Sequence, residues 1–113
     1  MNLQAFKNFL DLATGVQGYL VVGAALFCLG LIGVMSRKNA IGILIGVELI
    51  LNAAGINFVA FSRYRAASID GQLANLFVIL IAAAEAAVAL AIILRFYRLK
   101  QTIDADEANL LRN

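Results

Sequence analysis

Two glutamates carry the chemistry this chain has to offer. Glu48 lies near the middle of an apolar run from Ala40 to Phe61, and Glu85 lies inside a later run from about Leu73 to Leu94. Each run is roughly 22 residues long and, at about 1.5 Å per residue, reaches across a hydrocarbon core about 30 Å thick. An ionisable side chain at that depth costs on the order of 2.5 to 3.5 kcal/mol on insertion scales, so it marks a functional site that faces protein or water. A carboxyl group in such a place can take up and give back a proton, and two of them bridged by one or two waters make a relay.

The spacing within the runs sharpens this. Glu48 is eight residues after Ala40 and Glu85 nine before Leu94, which puts both carboxylates roughly 12 to 14 Å from one membrane boundary. Antiparallel helices pack with axes about 8 to 10 Å apart, so a shared interface brings the two together. Glu48, Asn52 and Gly55 fall on one helical face, with an amide one turn from the carboxylate. Gly42, Gly46, Ala53 and Asn57 form another face suited to close helix contact. Ala82, Ala83, Ala84, Ala86 and Ala87 surround Glu85 and admit neighbouring helices on nearly every side, so Glu85 is expected inside protein. Arg37 and Lys38, at the start of the Glu48 run, serve either as topology anchors or as a positive entrance to the Glu48 site. The bland reading of the pair of glutamates is a fixed ionic partner for a basic residue on another chain. Packing alone does not call for two carboxylates at matched depth, which favours proton handling.

The elements that must position these groups follow from composition. The chain has 113 residues, 63% of them hydrophobic and 14% charged, with no Pro. That balance belongs in a bilayer, and without Pro every apolar run can satisfy its own backbone as helix. The expected fold is an all-α membrane protein forming a single membrane domain over residues 1–113. It has three antiparallel spans at about 17–35, 40–61 and 73–94, and a polar C-terminal tail at 95–113. The tail reads as a short surface segment. Residues 1–16 place Leu3, Phe6, Leu10 and Ala13 at helical spacing, as in a short helix lying in the headgroup region. A cleaved leader is disfavoured, because the next apolar run is too long and no small-x-small pattern follows it. Five basic residues (Arg37, Lys38, Arg95, Arg98 and Lys100) flank one side of the spans, against Lys7, Arg63 and Arg65 on the other. The positive-inside rule then places the N-terminus outside and the C-terminus in the cytoplasm.

Composition also excludes. There is no His and only one Cys, Cys28, which removes His-ligated haem, His-rich metal sites, iron–sulfur clusters held within the chain and any intrachain disulfide. The net charge of +2 is small and its basic residues sit beside the spans, which gives no support for nucleic-acid binding.

At this point a resemblance enters. Asn39 to Asn57, with its Gly-Val-Glu-Leu-Ile-Leu-Asn-Ala core, and Asp70-Gly71-Gln72 followed by Ala82 to Val88, closely resemble the NuoK (NdhE-type) family of small membrane subunits of respiratory complex I. The resemblance runs from about Gln17 to the C-terminus. It implies a three-helix, non-redox subunit of a proton-pumping NADH:quinone oxidoreductase in the inner (cytoplasmic) membrane. Its neighbours would be the quinone-site subunit and the antiporter-like subunits. Glu48 and Glu85 match the two glutamates of the family's E-channel, and Arg37 with Lys38 match its basic inner loop. No cofactor is expected on this chain, since NADH, FMN, iron–sulfur clusters and quinone would belong to partner subunits. The alternatives are the small subunit of an Mrp-type cation/proton antiporter, which usually lacks the alanine-flanked glutamate, and a purely structural assembly subunit. Two departures stand out: the segment before Gln17 looks like an extension, and Ala89 stands where many members have Gly.

Overall fold

A computed structural model describes residues 2–100, and these are helical apart from short connections. Asn2 opens the first helix, α1 (Leu3–Thr14), its Oδ1 accepting from the Ala5 N–H at 2.7 Å; such a cap satisfies one of the free N–H groups at a helix start. Gly15, in an extended conformation, breaks the chain between α1 and α2 (Val16–Ser36). Arg37 and Lys38 then lead to Asn39, whose Oδ1 accepts from the Ile41 and Gly42 N–H groups and caps α3 (Ala40–Phe61). A π-helical turn, Ser62–Ala66, follows α3, and Ala67 ends it in the left-handed region at φ 48°. That conformation costs a β-carbon-bearing residue about 1 to 2 kcal/mol. Its N–H donates to the Ser62 carbonyl. The last helix, α4, runs Asp70–Lys100.

Among the described residues, three helical stretches are long and apolar enough to cross a membrane: Val16–Ser36, Ala40–Arg65 and Asp70–Lys100. The second apolar run matches α3 at both ends. The third differs, since α4 begins three residues before Leu73 and continues six beyond Leu94. The physical reason is that hydropathy reports the depth of the apolar core, whereas Arg, Leu and Lys after Leu94 are good helix formers that continue the backbone pattern in water or headgroups. The reading of residues 101–113 as a surface segment falls outside the described residues.

The helices meet through small residues. α3 lies between α2 and α4, and the buried positions of these three helices are Gly23, Gly30, Gly46, Ala53, Gly55, Ala60 and Ala82. No large side chain among the described residues is fully buried, while Val21, Ile32, Ile81 and Ile92 are more than half exposed. This is membrane packing. Lipid is as apolar as Leu, so association comes from close backbone approach and large side chains point outward. The tightest approach of α2 to α3 is between Gly30 and Gly46. A Cβ on Gly46 would stand 2.8 Å from the Gly30 carbonyl oxygen and 2.9 Å from the Val34 nitrogen. Asn57 packs its amide on Gly23 in the same interface. The α2 partner of the Gly46, Ala53 and Asn57 face is thereby identified, while Gly42 meets the stem of Arg37 instead.

Two fastenings hold the far end, where α1 and the α3–α4 connection meet. The buried Ser62 hydroxyl donates to the Ser68 carbonyl and accepts from the Gly71 N–H at 3.0 Å. The Tyr64 hydroxyl donates to the Thr14 carbonyl at 2.6 Å, and its ring lies 5.9 Å from that of Tyr19.

Candidate functional site

The site is built on the packing of α3 against α4. Gly55 of α3 receives the side chain of Asn75 of α4, close enough that a Cβ there would collide with the Asn75 amide oxygen. Gly71, at the start of α4, lies against the Phe58 carbonyl and the Ser62 side chain. Glu48, Gly55 and Ser62 are spaced by seven residues and therefore share one stripe of α3, turned to α4. Stepping seven residues back from Gly55 and seven forward from Asn75 brings Glu48 opposite Ala82, the buried residue of α4. Glu48 is half-buried there.

Glu85 is one turn further along α4, three residues past Ala82, so it lies about 4.5 Å nearer the Arg37 end than the level of Glu48. The depths expected from run lengths thus differ by about one turn, because α4 begins earlier than its apolar run and packs in the register set by Gly55 and Gly71. Ala82 and Glu85 are i and i+3 neighbours on one side of α4, which keeps both carboxylates on adjoining surfaces. Glu85 itself is exposed in this chain and borders a shallow cavity of about 370 Å³ with Ala84, Val88, Ala89 and Ile92. The expectation that it sits inside protein is not met by this chain's own helices. Asn52, one turn from Glu48, is exposed at the rim.

Arg37 and Lys38 are exposed in the α2–α3 connection, ten or eleven residues from Glu48, and the Arg37 stem lies across Gly42, whose Cβ would stand 3.2 Å from the Arg37 Cβ and Cγ. Sequence reasoning missed Ser62, Asn75 and Gly71, which set the register of the two glutamate-bearing helices. Asp70-Gly71 at the head of the third run was the available signal, since a bare backbone position beside a polar turn suits close helix approach.

Three apolar helices with carboxylates on neighbouring levels define a small, all-helical, multi-pass membrane protein that carries ionisable groups inside its spans. Residues 18–113 match the family model of NADH-ubiquinone/plastoquinone oxidoreductase chain 4L. The chain is 47% identical over 109 residues to NADH-quinone oxidoreductase subunit K of Desulfitobacterium hafniense, an alignment covering 91% of this chain and 99% of that protein. It is 50% identical over 101 residues to subunit K of Chlorobaculum parvum, with 89% and 95% covered. It is 51% identical over 98 residues to NAD(P)H-quinone oxidoreductase subunit 4L of a Synechococcus strain, with 86% and 96% covered. The chain belongs to the NADH-quinone oxidoreductase subunit K (chain 4L) family. Residues 2–17, which hold α1, precede the part matched by the family model.

Proposed function

We propose that this chain is a proton-translocating subunit of the membrane arm of an NADH:quinone oxidoreductase, passing protons through Glu48 and Glu85 while quinone is reduced elsewhere in the complex. Support for this reading comes from the seven-residue spacing that puts Glu48 on the stripe of Gly55, at the level of Ala82 and about one turn from Glu85. In this reading the redox groups (NADH, FMN, iron–sulfur clusters and quinone) reside on partner subunits, and this chain holds and moves protons. Glu85, exposed here, is covered by a helix of a neighbouring subunit, because a carboxylate facing lipid is too costly to keep. The quinone-site and antiporter-like subunits are the neighbours proposed for the two sides. Asn52 orients a bridging water at the rim of Glu48. The complex lies in the inner (cytoplasmic) membrane.

The test is the number of protons translocated per NADH oxidised when either glutamate becomes Gln. The reading requires that ratio to fall in an assembled complex; an unchanged ratio for both variants would assign the carboxylates to packing, as in a structural assembly subunit.

The basic connection gives a milder expectation. Arg37→Ala with Lys38→Ala is expected to slow coupled turnover by a few-fold without abolishing it, because two positive charges raise the local field at the inner entrance. The measurement is quinone-linked NADH oxidation as a function of ionic strength. Loss of the assembled complex would mean that the pair anchors the connection instead.

Orientation is proposed from the five-to-three division of basic residues, with the N-terminus outside, α1 in the outer headgroup layer and Lys100 in the cytoplasm. Cysteine placed at Ser68, with Cys28 replaced by Ala, is expected to react with a membrane-impermeant thiol reagent from the outside. Labelling confined to the cytoplasmic side would reverse the topology and the direction of the proposed proton path.

A further inference from the structure

A cleft of about 650 Å³ runs between the halves of α2 and α3 nearest their connection. Its floor holds Gly33, Gly42 and Gly46, with Gly46 buried and the Arg37 stem lying over Gly42. Leu29, Ile32, Ile45 and Leu49 form its walls. Ile32 and Ile45 are 60% and 56% exposed, so the walls are open to whatever lies beside them. The cleft extends from Asn39 at the membrane surface to Leu49, ten residues of helix or roughly 15 Å, which is one leaflet of a core about 30 Å thick. Arg37 lies at the mouth, its stem held over Gly42, and none of the lining residues is acidic. Asn39 also lines the mouth. Its Oδ1 is occupied by the α3 cap, which leaves its amide NH₂ as a donor.

We propose that this cleft is a phospholipid site, with one acyl chain lying along the glycine floor and an anionic headgroup held at Arg37. Two features select this occupant. The length is that of a single leaflet, so a chain entering at the mouth ends at Leu49. The mouth is positive, and a guanidinium matches a phosphate by paired hydrogen bonds as well as by charge. The site shares Arg37 with the proposed inner entrance but contains neither glutamate, and its occupancy is read without any measurement of pumping.

The experiment uses the assembled oxidoreductase, carrying a photoreactive phenylalanine analogue in place of Ile32, in vesicles of equal parts phosphatidylcholine and phosphatidylglycerol. After illumination, the adducts on this chain are identified by mass. The expected result is a phosphatidylglycerol adduct that exceeds the phosphatidylcholine adduct, and that is stronger than with the same analogue at Leu31, which is exposed but outside the cleft. Adding Arg37→Gln is expected to lower the preference for phosphatidylglycerol about fivefold while acyl-chain adducts persist. Should the analogue at Ile32 block assembly, Ile45 on the facing wall takes its place. A cross-link to a polypeptide would give the cleft to a partner subunit. Equal labelling of the two lipids, or equal labelling at Leu31, would reduce it to bulk lipid contact. Any of these results overturns the proposal.

Discussion

Glu48→Gln is expected to lower coupled proton translocation by at least about tenfold while the complex remains assembled. Gln keeps the length and planar end of Glu but carries no exchangeable acid, and a positioned acid–base group contributes about 10²- to 10⁴-fold to a proton-transfer step. The packing around it should survive. The contacts that fix α3 are made by Gly46 and Ala53 on one side and by Gly55 and Ser62 on the other, and none depends on the carboxylate. The measurement pairs proton uptake into vesicles with NADH oxidation by an artificial electron acceptor, which reports the presence of the redox subunits. Loss of the first with retention of the second is the expected pattern. Glu48→Asp, which keeps the acid but shortens its reach, should fall between. Near-normal pumping in Glu48→Gln would remove this residue from the path and leave it a structural partner.

The second large effect is expected at a residue with no chemistry. Gly46→Ala adds one carbon at a place where the nearest atoms are the Gly30 carbonyl oxygen, the Val34 nitrogen and the Val34 side chain, all within 2.9 Å. Two of those three atoms are backbone, so the helices must part. Overpacking of this kind costs about 1 to 3 kcal/mol. Gly30→Ala meets the same obstacle from the other side, at 2.7 Å from the Gly46 oxygen. Gly33→Ala is the comparison, because its new carbon would touch only Gly46, at 3.4 Å from the Cα, an ordinary contact. The amount of this chain retained in the complex after graded heating should therefore drop at lower temperature for Gly30→Ala and Gly46→Ala, and track the parent for Gly33→Ala. If all three behave alike, the α2–α3 contact does not limit stability.

These two residues also show where reading the chain worked and where it stopped. Glu48 and Glu85 announce themselves, because an acid inside an apolar run is rare and costly wherever the helices turn out to pack. The α3 boundaries were legible for a similar reason, since the apolar run begins after the polar Arg37, Lys38 and Asn39 and ends where Ser62 and Arg63 begin. Gly46 was legible only as a small residue on a face with Ala53 and Asn57, and its partner was not. Choosing between α2 and α4 depends on how the two outer helices are placed around α3, and apolar spans of uniform character give no amphipathic stripe to decide it. The offset between Glu48 and Glu85 was hidden for the same reason. It depends on Gly55 receiving Asn75 and on a π-helical turn at Ser62–Ala66, which no periodicity in the sequence displays. Glu85 is exposed among this chain's own helices, so the cover proposed for it would have to come from a neighbouring subunit, which one chain's sequence does not contain.

The hydrogen bond from Tyr64 to Thr14 joins residues fifty positions apart, and that separation has a consequence for how the protein is made. During synthesis α1 emerges first, but the group that fastens it is not available until α3 and the turn after it have been translated. α2 and α3, joined by Arg37, Lys38 and Asn39, can pair as soon as both have left the ribosome, since short loops close early and long ones late. α1, translated before the spans, thus gains this fastening only after α3 has been made. Factors that handle the nascent chain would meet α1 before the Tyr64 fastening exists, and an insertion within α1 would burden that late docking step and leave the earlier pairing of the spans alone.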